Sequence, residues 1–242
     1  MIPLVLVHGF MGGSAQWDQL TDRVGGNRNV ITVDLPGFGQ NNRFPAIDRI
    51  GHFADWVIAE LRSSGVDRYH LLGHSMGGMI VQEIARRDQQ NIDHLILYGT
   101  GGIGALPGRF ETIAQSKARA KEDGLAATAR RISATWFLDR ENAAGYPGCA
   151  RIAEQTAPAA FPAGLDAMDH WSGLDFLPQI KPRTRIIWGD GDRTYPWEQT
   201  HRLWTQIPQA ELAVVPGCAH AVHLEKPDLF ASLLGDFLGK AG

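Results

Sequence analysis

Short apolar, β-branched runs recur along this chain, each followed by a glycine-rich turn and a helix-patterned segment. That alternation leaves few folds open to it. The runs are residues 2–7, 30–33, 69–72, 94–98, 184–188 and 211–215. Most lack polar–apolar alternation, as expected of strands buried on both faces of a parallel sheet. Between them, Ile50, Phe53, Val57 and Leu61 fall three or four apart, on one face of a helix. Met79, Ile80, Ile84 and Ala85 follow the same rule after the third run, as do Leu229, Phe230, Leu233, Leu234 and Phe237 near the end. The pattern predicts an α/β fold, a doubly wound and mostly parallel sheet with right-handed crossovers.

One interval breaks the rhythm. Residues 104–178 contain only helical pattern punctuated by Gly and Pro, far longer than a plain crossover. The expected arrangement is a core of residues 1–103 and 179–242 carrying an inserted helical cap, 104–178, over one end of the sheet. Aromatic residues of this stretch, Trp136, Phe137, Tyr146, Phe161, Trp171 and Phe176, either pack the cap itself or line a pocket beneath it. Trp136 and Trp171, with His170 as a polar group, are the pocket candidates. The interval carries 8 basic and 9 acidic residues, so it has no single-sign field to steer a highly charged substrate.

Composition excludes several classes. Of the 242 residues, 44% are hydrophobic and 20% charged, enough apolar material for a large core. Net charge is −3 and no Lys/Arg block occurs, which argues against a nucleic-acid partner. The apolar runs are strand-sized, far short of the roughly 20 residues of a membrane span. The N-terminus, which runs from Met-Ile-Pro straight into an apolar strand, lacks the pattern of a signal peptide. Two cysteines, Cys149 and Cys218, make neither a disulfide framework nor a zinc cluster. The expectation is a soluble, cytoplasmic protein with no metal and no cofactor.

The strongest local signal is Gly73-His74-Ser75-Met76-Gly77-Gly78, directly after a strand and directly before a helix. A sharp strand-to-helix turn strains the backbone at the serine and needs small neighbours to close. It holds the hydroxyl above the sheet at the positive end of the helix. A serine nucleophile needs a base, and the base an orienting acid. Among nine histidines, His220 lies in the loop after the last strand, at the end of the sheet where strand loops converge. His223 is the local alternative, and His8 and His74 read as supporting, structural histidines. The acid belongs to the loop Gly189-Asp190-Gly191-Asp192. Asp190 reads as a turn former, and Asp192 is better placed to reach His220. For the oxyanion, the backbone N–H groups of Met76 and Phe10 are the donors, the latter from the loop His8-Gly9-Phe10-Met11-Gly12-Gly13. Neither G-x-G-x-x-G nor a P-loop lysine is present, which argues against a dinucleotide.

These elements, together with Asp34-Leu35-Pro36-Gly37-Phe38-Gly39, resemble the α/β-hydrolase fold family across the chain outside the expected cap. The order Ser, Asp, His also matches that family. Carried over by motif position, the resemblance implies a triad of Ser75, Asp192 and His220, with Phe10 and Met76 at the oxyanion hole. Two features depart from the family. Its members usually open with a β-hairpin before the His-Gly strand, so either the true start lies upstream or the sheet lacks its first strands and leaves an edge uncovered. Gln40-Asn41 also stands where relatives often have a serine.

The serine excludes the look-alike branches that use aspartate, the haloalkane dehalogenases and epoxide hydrolases. The resemblance implies a small-molecule ester or lactone as substrate. It also leaves open a carbon–carbon bond hydrolase and a menaquinone-pathway lyase with the same triad. Carbon–carbon hydrolases usually carry Asn before the serine, where this chain has His74. A small-molecule receptor with weak hydrolysis is the alternative of another class, separated from an enzyme by turnover.

Overall fold

The computed structural model describes residues 1–106 and 111–239; residues 107–110, inside the expected cap, and 240–242 lie outside the described residues. The strands are β1 (Leu4–Val7), β2 (Val30–Val33), β3 (Tyr69–His74), β4 (Ile92–Tyr98), β5 (Arg183–Gly189) and β6 (Glu211–Val215). They form one sheet in the order β2-β1-β3-β4-β5-β6, and every neighbouring pair is parallel. All six expected runs are strands. β3 and β4 outlast their apolar patterns because backbone pairing continues through Gly73 and His74 on one strand and resumes at Ile92 on the other, which no hydrophobicity pattern registers.

Among the described residues, ten α-helices accompany the strands: α1 (Asp18–Val24), α2 (Ile50–Ser63), α3 (Met76–Asp88), α4 (Ile113–Asp123), α5 (Leu125–Ala134), α6 (Tyr146–Glu154), α7 (Ala160–Asp169), α8 (Trp197–Gln206), α9 (Val222–Glu225) and α10 (Pro227–Gly239). Successive strand residues feed two cores, one on each face of the sheet. Leu4, Leu6, Leu72, Ile96 and Ile187 pack with Leu20 of α1 and with Phe230, Leu234 and Phe237 of α10. Val5, Val7, Leu71, Leu95, Leu97 and Ile186 pack on the other face with α2 and α3. This explains the unbroken apolar runs, since both sets of side chains are buried. On α10 the buried stripe is Phe230, Leu234 and Phe237; Leu229 lies off it and is 42% exposed, against the expectation that it faced the core.

The helices α4 to α7 all lie between β4 and β5. α4 starts with a reciprocal capping box between Thr112 and Gln115.

The strand order also determines where a site can form. β1 pairs with β2 on one side and β3 on the other. The chain leaves β1 towards one edge of the sheet and β3 towards the other, so the loops after these two strands part. A crevice opens there, at the carboxyl ends of the strands.

Candidate active site

Ser75 sits in that crevice, immediately after β3, at φ 56° and ψ −120°. A non-glycine residue held in so sparsely populated a region costs about 1–3 kcal/mol. Its surroundings impose the conformation. The Ser75 N–H donates to the Tyr98 carbonyl at 3.0 Å, while the Ser75 carbonyl accepts from Gly78 N–H at 2.9 Å and from the Thr100 hydroxyl at 2.8 Å. The flanking glycines are a steric requirement. A Cβ on Gly73 would lie 2.3 Å from the Gly77 carbonyl oxygen, and one on Gly77 would lie 2.3 Å from that of Val7.

His220 is buried, and its Nδ1 lies 2.8 Å from Asp192 Oδ2. A carboxylate only accepts, so Nδ1 carries the proton of this bond. Asp192 Oδ1 accepts the backbone N–H groups of Thr194 and Tyr195 at 2.7 and 3.1 Å, which aims the carboxylate. The imidazole stacks on Tyr195, with ring centroids 5.7 Å apart and planes 20° apart.

The competing residues are engaged elsewhere. Asp190 Oδ1 accepts the Gly217 N–H at 2.8 Å, bracing the histidine loop as a turn residue. Tyr98 gives its hydroxyl proton to the His220 carbonyl at 2.9 Å, so His223 Nδ1, 3.0 Å from the Tyr98 hydroxyl oxygen, donates to that hydroxyl. Burial pushes His223 down to about 3, which keeps it neutral. His8 accepts the Leu35 N–H at Nε2 and donates from Nδ1 to the Gly9 carbonyl, bracing the loop that carries Phe10. His74 Nε2 lies 3.1 Å from the His220 carbonyl, and burial holds its pKa well below the usual histidine range.

Phe10 lies across the crevice from Ser75; a Cβ on the preceding Gly9 would approach Ser75 Cβ to 2.9 Å. Met76 opens α3, where a backbone N–H has no helical acceptor behind it. Above Ser75 is a cavity of about 50 Å³. It is lined by Phe10, Ile132, Trp136, Met168 and Tyr195 together with Thr135, Arg193 and Thr194.

Of the three pocket candidates from the sequence, Trp136 lines this cavity. His170 and Trp171 are not among its lining residues. His170 is exposed at the end of α7, bonded back to the Asp166 carbonyl at 2.8 Å. Trp171 is buried against α3, donating from Nε1 to Glu83 at 3.0 Å. The two follow the last turn of α7, and the helix turns only Met168 towards Ser75. Ile132, Thr135, Met168, Arg193, Thr194 and Tyr195 line the cavity outside the expected set, although Arg193, Thr194 and Tyr195 directly follow Asp192 in sequence.

Residues 4–233 match the alpha/beta hydrolase family. The chain belongs to that family. Pimeloyl-[acyl-carrier protein] methyl ester esterase of Aromatoleum aromaticum is 30% identical to this α/β-hydrolase over 96% of each chain. The 2-hydroxy-6-oxo-6-phenylhexa-2,4-dienoate hydrolase of Burkholderia cepacia is 27% identical over 97% of this chain and 87% of its own. In structure, the enol-lactonase from Burkholderia xenovorans superposes with a TM-score of 0.89 at 21% identity, covering 99% of this chain and 92% of the other.

In this α/β-hydrolase, the segment Trp136-Phe137-Leu138 is stitched to both loops that carry the candidate acid and base. Arg193 donates to the carbonyls of Phe137 and Leu138 at 2.9 and 3.3 Å, and the Ala221 N–H donates to that of Trp136 at 2.9 Å. Both cysteine thiols are buried and pushed up to about 12, which leaves them protonated and poorly nucleophilic. The Asp192 carboxylate and the His220 imidazole are committed to each other. No helix among the described residues is long and apolar enough to cross a membrane.

Proposed function

We propose that this protein is a serine hydrolase that cleaves a carboxylic ester or lactone of a small substrate, with Ser75 as nucleophile, His220 as base and Asp192 as orienting acid. The reading rests chiefly on one observation: a strained serine lines a cavity beside a histidine whose Nδ1 is bonded to a buried carboxylate. With Nδ1–H held by Asp192, the free lone pair of His220 Nε2 accepts the Ser75 proton as Oγ attacks the carbonyl carbon. The carbonyl oxygen gains the negative charge, and the N–H groups of Phe10 and Met76 stabilise it. Collapse of the tetrahedral intermediate breaks the bond to the leaving alkoxide, which takes the proton from Nε2. Water, deprotonated by the same nitrogen, then releases the acid from the acyl-enzyme.

Residues 104–178 act as the cap that selects the substrate, since α5 and α7 supply Ile132 and Met168 to the cavity roof. About 50 Å³ holds only a few water-sized groups, so short or cyclic acyl groups are preferred over long chains. The esterase and enol-lactonase among the relatives fit this chemistry. The dienoate hydrolase relative supports a second reading, carbon–carbon bond cleavage by the same triad. A panel of aryl esters, lactones and ring-cleavage dienones, with kcat measured for each and Ser75→Ala as control, tests both. Turnover confined to dienones would replace the ester reading, and negligible turnover on all three would point to a receptor.

A further inference from the structure

At the opposite end of the sheet, where β3 and β4 begin, the regular pairing is interrupted. Tyr69 faces Ile92 and Leu71 faces Leu95, so Asp93 and His94 stand opposite the single residue His70. This bulge turns three ligand-type side chains towards one another. Asp93 Oδ2 lies 2.7 Å from His94 Nδ1 and 3.3 Å from His70 Nδ1, and the three groups each offer one atom within 4.8 Å of the others. Both histidines are more than nine-tenths buried. His70 Nδ1 faces Asp93 without a hydrogen bond, and His94 Nε2 has no polar partner either.

We propose that His70, Asp93 and His94 form a binding site for a divalent transition-metal ion of the zinc class, separate from the hydrolytic centre. Ligands about 2.0–2.1 Å from a tetrahedral ion stand about 3.3–3.4 Å apart, close to the His70–Asp93 separation, and the His94–Asp93 pair opens slightly to match. The donor set also fits. His70 Nδ1 is buried and has no hydrogen-bond partner, and the Asp93 carboxylate stands between it and the His94 imidazole. His94 now donates Nδ1–H to Asp93, so ligation through Nδ1 moves that proton to Nε2, and no charge leaves the site. Arg68 occupies Asp93 Oδ1 and leaves Oδ2 for the ion. The positive charges of Arg68 and Arg28 weaken any purely ionic binding. The site should therefore discriminate against Mg²⁺ and Ca²⁺ and favour ions that bond strongly to imidazole. Asp93, partly exposed, gives solvent access for a water as fourth ligand.

Such an ion would staple the start of β3 to β4. Ser75 is five residues further along, about 16 Å at strand rise, so the ion would not touch the nucleophile. The test uses metal-free protein titrated with Zn²⁺ by calorimetry and thermal melting, with X-ray absorption of the loaded protein. One equivalent should bind, raise Tm and show scattering from two imidazoles, with no comparable effect of Mg²⁺. His70→Asn and Asp93→Asn, made separately so that one misfolded variant does not decide the matter, should each weaken binding at least about tenfold. Binding that is absent, unchanged in both variants, or without two-imidazole scattering would overturn the proposal.

Discussion

The Glu225 carboxylate accepts the Leu138 backbone N–H through Oε1 at 2.8 Å, and through Oε2 it accepts the N–H of Ala219 at 2.6 Å. One side chain thus joins the segment after α5, which carries Trp136 into the cavity, to the residue immediately before His220. Arg193 grips the same segment from the loop of Asp192. The roof of the cavity and the loops of the proposed acid and base therefore share one set of hydrogen bonds.

An amide at position 225 can accept one of those N–H groups but must turn its own NH₂ towards the other. Glu225→Gln is expected to lower stability by about 2 kcal/mol, the worth of a charge-assisted hydrogen bond. It should also reduce kcat about tenfold by loosening the His220 loop. Urea unfolding and steady-state kinetics on the same preparation check both values.

Ser75 carries backbone strain that a glycine would not. Ser75→Gly should abolish hydrolysis, by about three orders of magnitude or more, while raising stability by about 1 kcal/mol. A phosphonate probe should label Ser75 in the parent protein and nothing in the variant. Loss of stability in Ser75→Gly would show that the surroundings do not hold the serine under strain.

Asp192 and Asp190 differ by two positions and by what they hold. Asp192→Asn removes the acceptor that places the proton on His220 Nδ1, and kcat should fall by about 10⁴. Asp190→Asn can still accept the Gly217 N–H through its amide oxygen and should cost less than about tenfold. Reversed effects would reassign the acid.

His8 and His223 are held down at about 4 and about 3 by burial, against an ordinary value of 6.5. Below pH 6.5 the unfolded chain takes up protons at these positions that the folded chain refuses. Stability is thus fully present above pH 6.5 and falls as pH drops from there towards 4, by up to about 1.4 kcal/mol per pH unit for each histidine. Urea midpoints measured from pH 7.5 to 4.5 should show this slope, and His223→Gln should flatten it.

Trp136 closes the cavity above Ser75. Aryl esters from acetyl to palmitoyl should give the highest kcat/KM at the short end, and Trp136→Ala should move the optimum to longer chains. A maximum at palmitoyl in the parent protein would mean that the roof opens as a lipase lid does.

The alternation of apolar runs with helix-patterned segments was enough to determine a parallel α/β sheet, because burial on both faces of the inner strands demands apolar residues at most of their positions. The elbow at Ser75 was legible for a similar reason: its glycines answer contacts within a few residues or with the neighbouring strand, and no other residue fits there. Asp192 and His220 could be selected because strand ends place their loops at one end of the sheet. The cavity lining could not be read in the same way. Helical periodicity shows which face of α7 is apolar, but the angle at which the helix meets the core decides that Met168 faces Ser75 while Trp171 turns to Glu83. The bonds from Glu225 to Leu138 and from Arg193 to Phe137 join residues more than fifty positions apart, and the meeting of His70 with Asp93 and His94 depends on a bulge in strand pairing. Such contacts arise only when separate elements pack, so tertiary structure alone decided them.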